Sequence, residues 1–164
     1  MTPEAAPAYK PADAAGRAQN VPVPVKPALA DVNSKDGLEA FSRHWYAALG
    51  YAYETGDLVP VGELTGENCE LCNNAMDVAR GWNQDGRWLA GGAFKVLAHD
   101  LPFEAAPDGN FQSVAEVTQT ELHTYQADGS EPLEPIVESS DHLLMMTTYA
   151  NGRWTVNDVA NVSN

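Results

Sequence analysis

The apolar residues of this chain change their spacing once, at Gly86, and that change limits the fold more than any other feature. Before it, Leu38, Phe41, Trp45, Ala48, Leu49 and Ala52 recur at the intervals that define one face of an α-helix. Asn33 or Ser34 can cap this helix, and Thr55-Gly56 stops it. Asp57 caps a second, short helix with Pro60 in its first turn and Val61 and Leu64 buried. A third helix starts near Asn68, carries Leu71, Ala75, Val78 and Trp82 as its apolar stripe, and closes at Gly86. After Gly86 the pattern alternates. Residues 88–100 form a long strand, with Gly91-Gly92 marking a bulge or bend, and residues 111–126 form a second. Asp128-Gly129 turns the chain, residues 131–138 run extended between prolines, and residues 142–149 and 153–159 flank the hairpin signal Asn151-Gly152. Helices followed by strands predict an α+β fold, three helices packed on one face of a curved antiparallel sheet of four to six strands, as a single domain over residues 34–164.

Residues 1–33 read differently. They hold six of the eleven prolines and nine alanines, with no Trp, Phe, Ile or Cys, so they can bury little apolar surface of their own. The run Val21-Pro22-Val23-Pro24-Val25-Lys26-Pro27 favours extended polyproline-like chain. The expectation is a disordered Pro/Ala-rich tether over 1–33, spanning ~3.1 Å per residue where extended. Pro24 and Pro27 also make a single P-x-x-P, a weak recognition signal.

Charge excludes several functions. The net charge is −14, and the tail is balanced, so the whole excess lies in residues 34–164. Such a surface repels phosphate backbones and anionic lipid, which argues against nucleic-acid binding. No stretch of about 20 apolar residues is present, so no transmembrane span is expected.

The only cysteines, Cys69 and Cys72, lie three residues apart at the start of the third helix. A structural disulfide, a redox centre and half of a zinc site all use this spacing. Glu63, Glu67 and Glu70 oppose a reactive thiolate, and His44, His99, His123 and His142 lack paired-ligand spacing. The pair therefore reads first as a disulfide, and no metal or cofactor is implied.

Catalysis would need titratable groups facing a pocket. A two-residue turn at Asn151-Gly152 sets Tyr149 opposite Trp154, Thr147 opposite Val156 and Met145 opposite Asp158. Asp158 then falls on the apolar face with Leu143, Met145, Tyr149, Trp154 and Val156, where its pKa would rise and it could act as a base. Glu121 and His123 share one face of residues 111–126 and line the pocket only if that face turns inward. Candidate ligand-binding residues are thus Asp158, His123, Glu121, Tyr149 and Trp154. Two classes of function fit: a non-catalytic domain binding a small molecule or a partner protein, and a small hydrolase- or isomerase-type enzyme using Asp158.

A resemblance adds to this reading. Phe41, Trp45, Tyr46, Leu49, Tyr51, Ala52 and Tyr53, then Thr55-Gly56-Asp57, the cysteine pair, Gly91-Gly92 and Asn151-Gly152-Arg153-Trp154 resemble an actinobacterial envelope lipoprotein family of unknown function, over about residues 36–160. The order of elements is similar to the cone-shaped folds of nuclear transport factor 2 and its relatives. The resemblance implies export, a lipidated N-terminus ahead of Met1, a cell-envelope location and an envelope partner. It allows a homodimer through the convex sheet face and implies no reaction.

Overall fold

The computed structural model describes residues 2–5 and 7–163; residues 1, 6 and 164, which fall at the ends of the expected tether and domain, lie outside the described residues. Helix α1 spans Lys35–Thr55, α2 Val59–Gly62 and α3 Glu70–Gly81. The Ser34 hydroxyl accepts from Gly37 N at 3.0 Å, closing the first turn of α1, and Gly56 ends the helix in the left-handed conformation. The six apolar positions read from spacing, Leu38 to Ala52, are all buried. The stripe of α3 is rotated from its expected position. Cys72 and Ala79 are buried, Leu71, Ala75 and Trp82 are half-buried, and Val78 is exposed. The cysteines join α3 to the core one step around the helix, which turns Val78 out. None of the helices among the described residues is long and apolar enough to cross a membrane.

Among the described residues, six strands form two sheets. Strands β2 (Phe94–Asp100), β3 (Phe111–Gln119), β5 (Ser139–Ala150) and β6 (Arg153–Asn161) make an antiparallel sheet in the order β2-β3-β5-β6. Strands β1 (Trp88–Gly91) and β4 (Leu122–Tyr125) make a separate ribbon. The two long strands read from sequence are therefore each broken. Gly91 and Gly92 both take positive φ, and a Cβ on Gly91 would lie 2.1 Å from the Glu121 carbonyl oxygen. Only glycine permits that approach, and it turns both chains out of the main sheet together. The α-helices pack on one face of the sheet, and Phe41, Trp45, Leu49, Val117, Met145, Trp154 and Val156 form its core.

The segment expected to be a disordered tether takes a defined course in the structure. Lys10 and Gln19 exchange backbone hydrogen bonds of 3.0 and 2.9 Å around a tight turn. Trp88 Nε1 donates to Asp13 O at 2.9 Å, and Arg17 donates to Asn83 Oδ1 at 2.9 Å. A 3-10 turn, Ala28–Asp31, buries Ala30 completely. Beyond it, Asp31 O accepts from the Tyr149 hydroxyl at 2.8 Å and Val32 O from Trp154 Nε1 at 3.1 Å. A Cβ on Gly37 would lie 2.0 Å from Val32 O, so the glycine lets this strap close on α1. The strap lacks a core of its own; it is held by aromatic groups that the domain supplies.

Candidate functional site

The register of β5 and β6 decides what lines the interior. Tyr149 does pair with Trp154 and Thr147 with Val156. Past that point the ladder slips by one residue: Asp158 pairs with Met146, and Val159 with Met145. Asn157 is the extra residue, and its side chain donates to Asn110 Oδ1 at 2.8 Å and Thr148 Oγ1 at 3.1 Å. The slip occurs where the α2–α3 connection docks on the edge of β6, with Val156 N donating to Leu64 O and Gly66 N to Val156 O. A one-residue shift exchanges the two faces of a strand. Val159 is buried, and Asp158 is exposed beside Glu70, Leu71 and Asn74. The expected inward-facing Asp158 is thereby corrected, and with it the only acid proposed as a pocket base.

Of the other candidates, Glu121 and His123 stand away from the interior, and Tyr149 and Trp154 belong to the packed core. Glu121 lies at the corner between β3 and β4. The His123 ring sits on the outer surface between two carboxylates, Nε2 at 2.7 Å from Glu121 Oε1 and Nδ1 at 2.7 Å from Glu131 Oε1. Its pKa is raised, chiefly by the Glu131 hydrogen bond; desolvation opposes the rise, and the Glu121 hydrogen bond and the two carboxylate charges add to it. Tyr149 and Trp154 are structural: both hold the strap, and their rings meet edge-on at 5.0 Å. Cys69 and Cys72 form a disulfide with both residues fully buried.

One arrangement has the outline of a hydrolytic triad. His99 Nε2 lies 2.9 Å from Ser42 Oγ, and Nδ1 lies 3.7 Å from Glu39. Burial, then the neighbouring Arg43, lowers the His99 pKa, with Glu39 opposing. Ser42 is fully buried under α1, however, so no substrate carbon could reach its hydroxyl. The set is a polar clamp between α1 and β2.

The interior site lies at the other end of the sheet. Between α1, α3 and the strand ends is a cavity of about 230 Å³. Trp45, Tyr46, Leu49 and Tyr53 of α1 form one wall, Leu71 and Ala75 of α3 a second, and Phe94, Leu143 and Val159 the sheet side. Gln119, Asp141 and Asn161 supply the polar lining. Asn161 Nδ2 donates to Asp141 Oδ1 at 3.1 Å, which orients the carboxylate. The Tyr46 hydroxyl is buried without a hydrogen-bond partner, and burial raises its pKa. Such an orphan costs stability unless something satisfies it. Sequence reading missed this set. Asp141 was reachable by extending the alternation of Leu143 and Met145 one step back; Asn161 and Tyr46 carried no local sign.

The profile of a family of unknown function, DUF6318, matches residues 7–160. Among solved structures, the intermembrane-space region of the chloroplast protein ARC6 is similar with a TM-score of 0.54 at 12% identity, covering 80% of this chain and 98% of that one. An uncharacterised Caulobacter vibrioides protein with a cystatin-like fold is similar with a TM-score of 0.50 at 10% identity, covering 79% and 88%. These likenesses show a cystatin-like fold. Among curated proteins none matches.

Proposed function

We propose that this chain, which belongs to the family of unknown function DUF6318, is an extracytoplasmic binding domain that holds a small, largely apolar molecule in the cavity between α1, α3 and the sheet. One observation carries the reading: an aromatic- and aliphatic-walled cavity with a few oriented polar groups is the usual form of a small-molecule site. The orphan Tyr46 hydroxyl and the Asp141–Asn161 pair would supply the orienting contacts. Binding without turnover is favoured because Asp158 and His123 stand outside this cavity, and Ser42 is sealed. Export is supported by the disulfide, which belongs to oxidising compartments. Lipidation ahead of the strap would hold the domain at the envelope surface.

The test is native mass spectrometry of the protein taken from its own envelope, beside a Leu143→Trp variant that fills the cavity. A bound small molecule present on the parent and absent from the folded variant is the expected result. A molecule retained equally by both would refute the cavity as its site. A partner protein is a second reading, favoured by the outer sheet face, where Val114, Leu144 and Ala160 form one half-exposed apolar row. A homodimer through that face would show as doubled mass in light scattering, lost in Leu144→Glu.

A further inference from the structure

Tyr46, Tyr53 and Phe94 have a second side. Across them from the interior cavity is a cleft of about 300 Å³, roofed by Tyr9, Pro22 and Pro24 of the strap and bounded by the Gly91–Ala93 corner. Five aromatic rings line it, those of Tyr9, Tyr46, Tyr51, Tyr53 and Phe94, and Glu54 is the one charged group among the lining residues. The Tyr9 hydroxyl lies 3.0 and 2.9 Å from the two Glu54 carboxylate oxygens, which fixes the carboxylate at the cleft. Glu54 makes no ion pair among the described residues; the nearby Arg17 instead donates to Thr55 O and Asn83 Oδ1.

The chemistry of these walls selects one class of ligand. Aromatic rings attract a diffuse cation that approaches their π-systems and sheds little hydration in doing so. A neutral ligand would strip water from the Glu54 carboxylate and leave it uncompensated. A metal ion needs several oxygen ligands, and among the described residues no cluster of three metal-binding side chains exists. The net charge of −14 raises the local concentration of any cation. We propose that this cleft binds a small quaternary or alkylated ammonium group, its charge held between the tyrosine rings and the Glu54 carboxylate. The inference does not rest on occupancy of the interior cavity, which lies on the opposite side of the shared wall.

Choline chloride titrated into the full chain, followed by calorimetry and by tyrosine ring shifts in NMR, tests it. Saturable binding is expected, weakened about tenfold or more by Glu54→Gln, with the neutral isostere 3,3-dimethylbutan-1-ol weaker by a similar factor. Equal binding of the neutral isostere, unchanged choline affinity in Glu54→Gln, or no saturation into tens of millimolar would each overturn the proposal. Leu143→Trp should leave choline binding intact, so failure here is separable from failure of the interior site. Phosphatidylcholine vesicles separate two sources of the group. Sedimentation with vesicles that is lost in Glu54→Gln supports a lipid headgroup, and choline binding without sedimentation supports a free solute.

Discussion

At one end of the four-stranded sheet, Phe103, Phe111, Tyr149 and Trp154 fill the space between sheet and strap, with ring centroids 4.8 to 6.2 Å apart. At the other end, Tyr46, Tyr53 and Phe94 meet at 5.3 and 6.3 Å and enclose space on both sides. The residue types are alike, and α1 runs beside both. The difference lies in what closes each end. At the filled end the strap inserts Ala30 and offers two carbonyls to Trp154 and Tyr149, so every polar atom of the aromatic cluster is satisfied. At the hollow end the strap only crosses the outside, and one tyrosine hydroxyl is left unpaired. Aromatic residues build a plug or a vessel according to whether the backbone comes in to meet them.

The largest expected effect is at the filled end. Trp154→Ala should cost about 3–5 kcal/mol in urea unfolding, by loss of contacts and an unfilled cavity. A loss below about 1 kcal/mol would mean the two ends are equally loose. Next comes the staple of α3, which carries Leu71 and Ala75 of the hollow end's wall. Replacing both cysteines by serine should cost about 2 kcal/mol on the chain-entropy estimate, read in the same assay. An unchanged midpoint would show that α3 is fixed by packing alone.

Filling the hollow end should be tolerated. Ala75→Leu should change stability by no more than about 1 kcal/mol, whereas the same added volume beside Trp154 should be penalised. Equal penalties would remove the distinction. Tyr46→Phe deletes an unpaired hydroxyl, so in ligand-free protein it should be neutral or slightly stabilising. A clear loss of stability would reveal a partner for that group in solution.

The smallest effect concerns pH. Burial lowers the pKa of His44 and of His99 from the usual value of 6.5, helped by Lys26 and Arg43 respectively. The unfolded chain then binds protons first, so stability should fall as pH drops below about 6.5. His123 has the opposite sign: its raised pKa gives a contribution complete below 6.5 that is lost as pH rises through the folded value. Because His123 is solvent-exposed, its term is small. His99→Gln should flatten the acidic decline in melting temperature, and His123→Gln should leave it.

Much of this contrast was legible in sequence, and the rest failed for traceable reasons. The face of α1 and the pairing next to Asn151-Gly152 follow from local periodicity, and both hold. The slip at Asn157 arises from the α2–α3 connection reaching β6 from far along the chain, which no local pattern encodes. Gly91-Gly92 signalled a bend, yet its counterpart at Thr120-Glu121 has no glycine and gave no sign. The composition of the strap describes what it can bury alone. It says nothing of Trp88 or Trp154 waiting elsewhere.

The strap also has a mechanical meaning. If the chain is held by its N-terminal end, a pull would meet the attachments one after another: Tyr9 to Glu54, Asp13 to Trp88, Arg17 to Asn83, and last Val32 to Trp154. Loaded in series from the outside inward, they would open like a zipper and not shear together. Residues 9–31 could then extend to at most roughly 75 Å at about 3.3 Å per residue before the four-stranded sheet carried the load. Tyr9, which roofs the aromatic cleft, would leave in the first step of that extension.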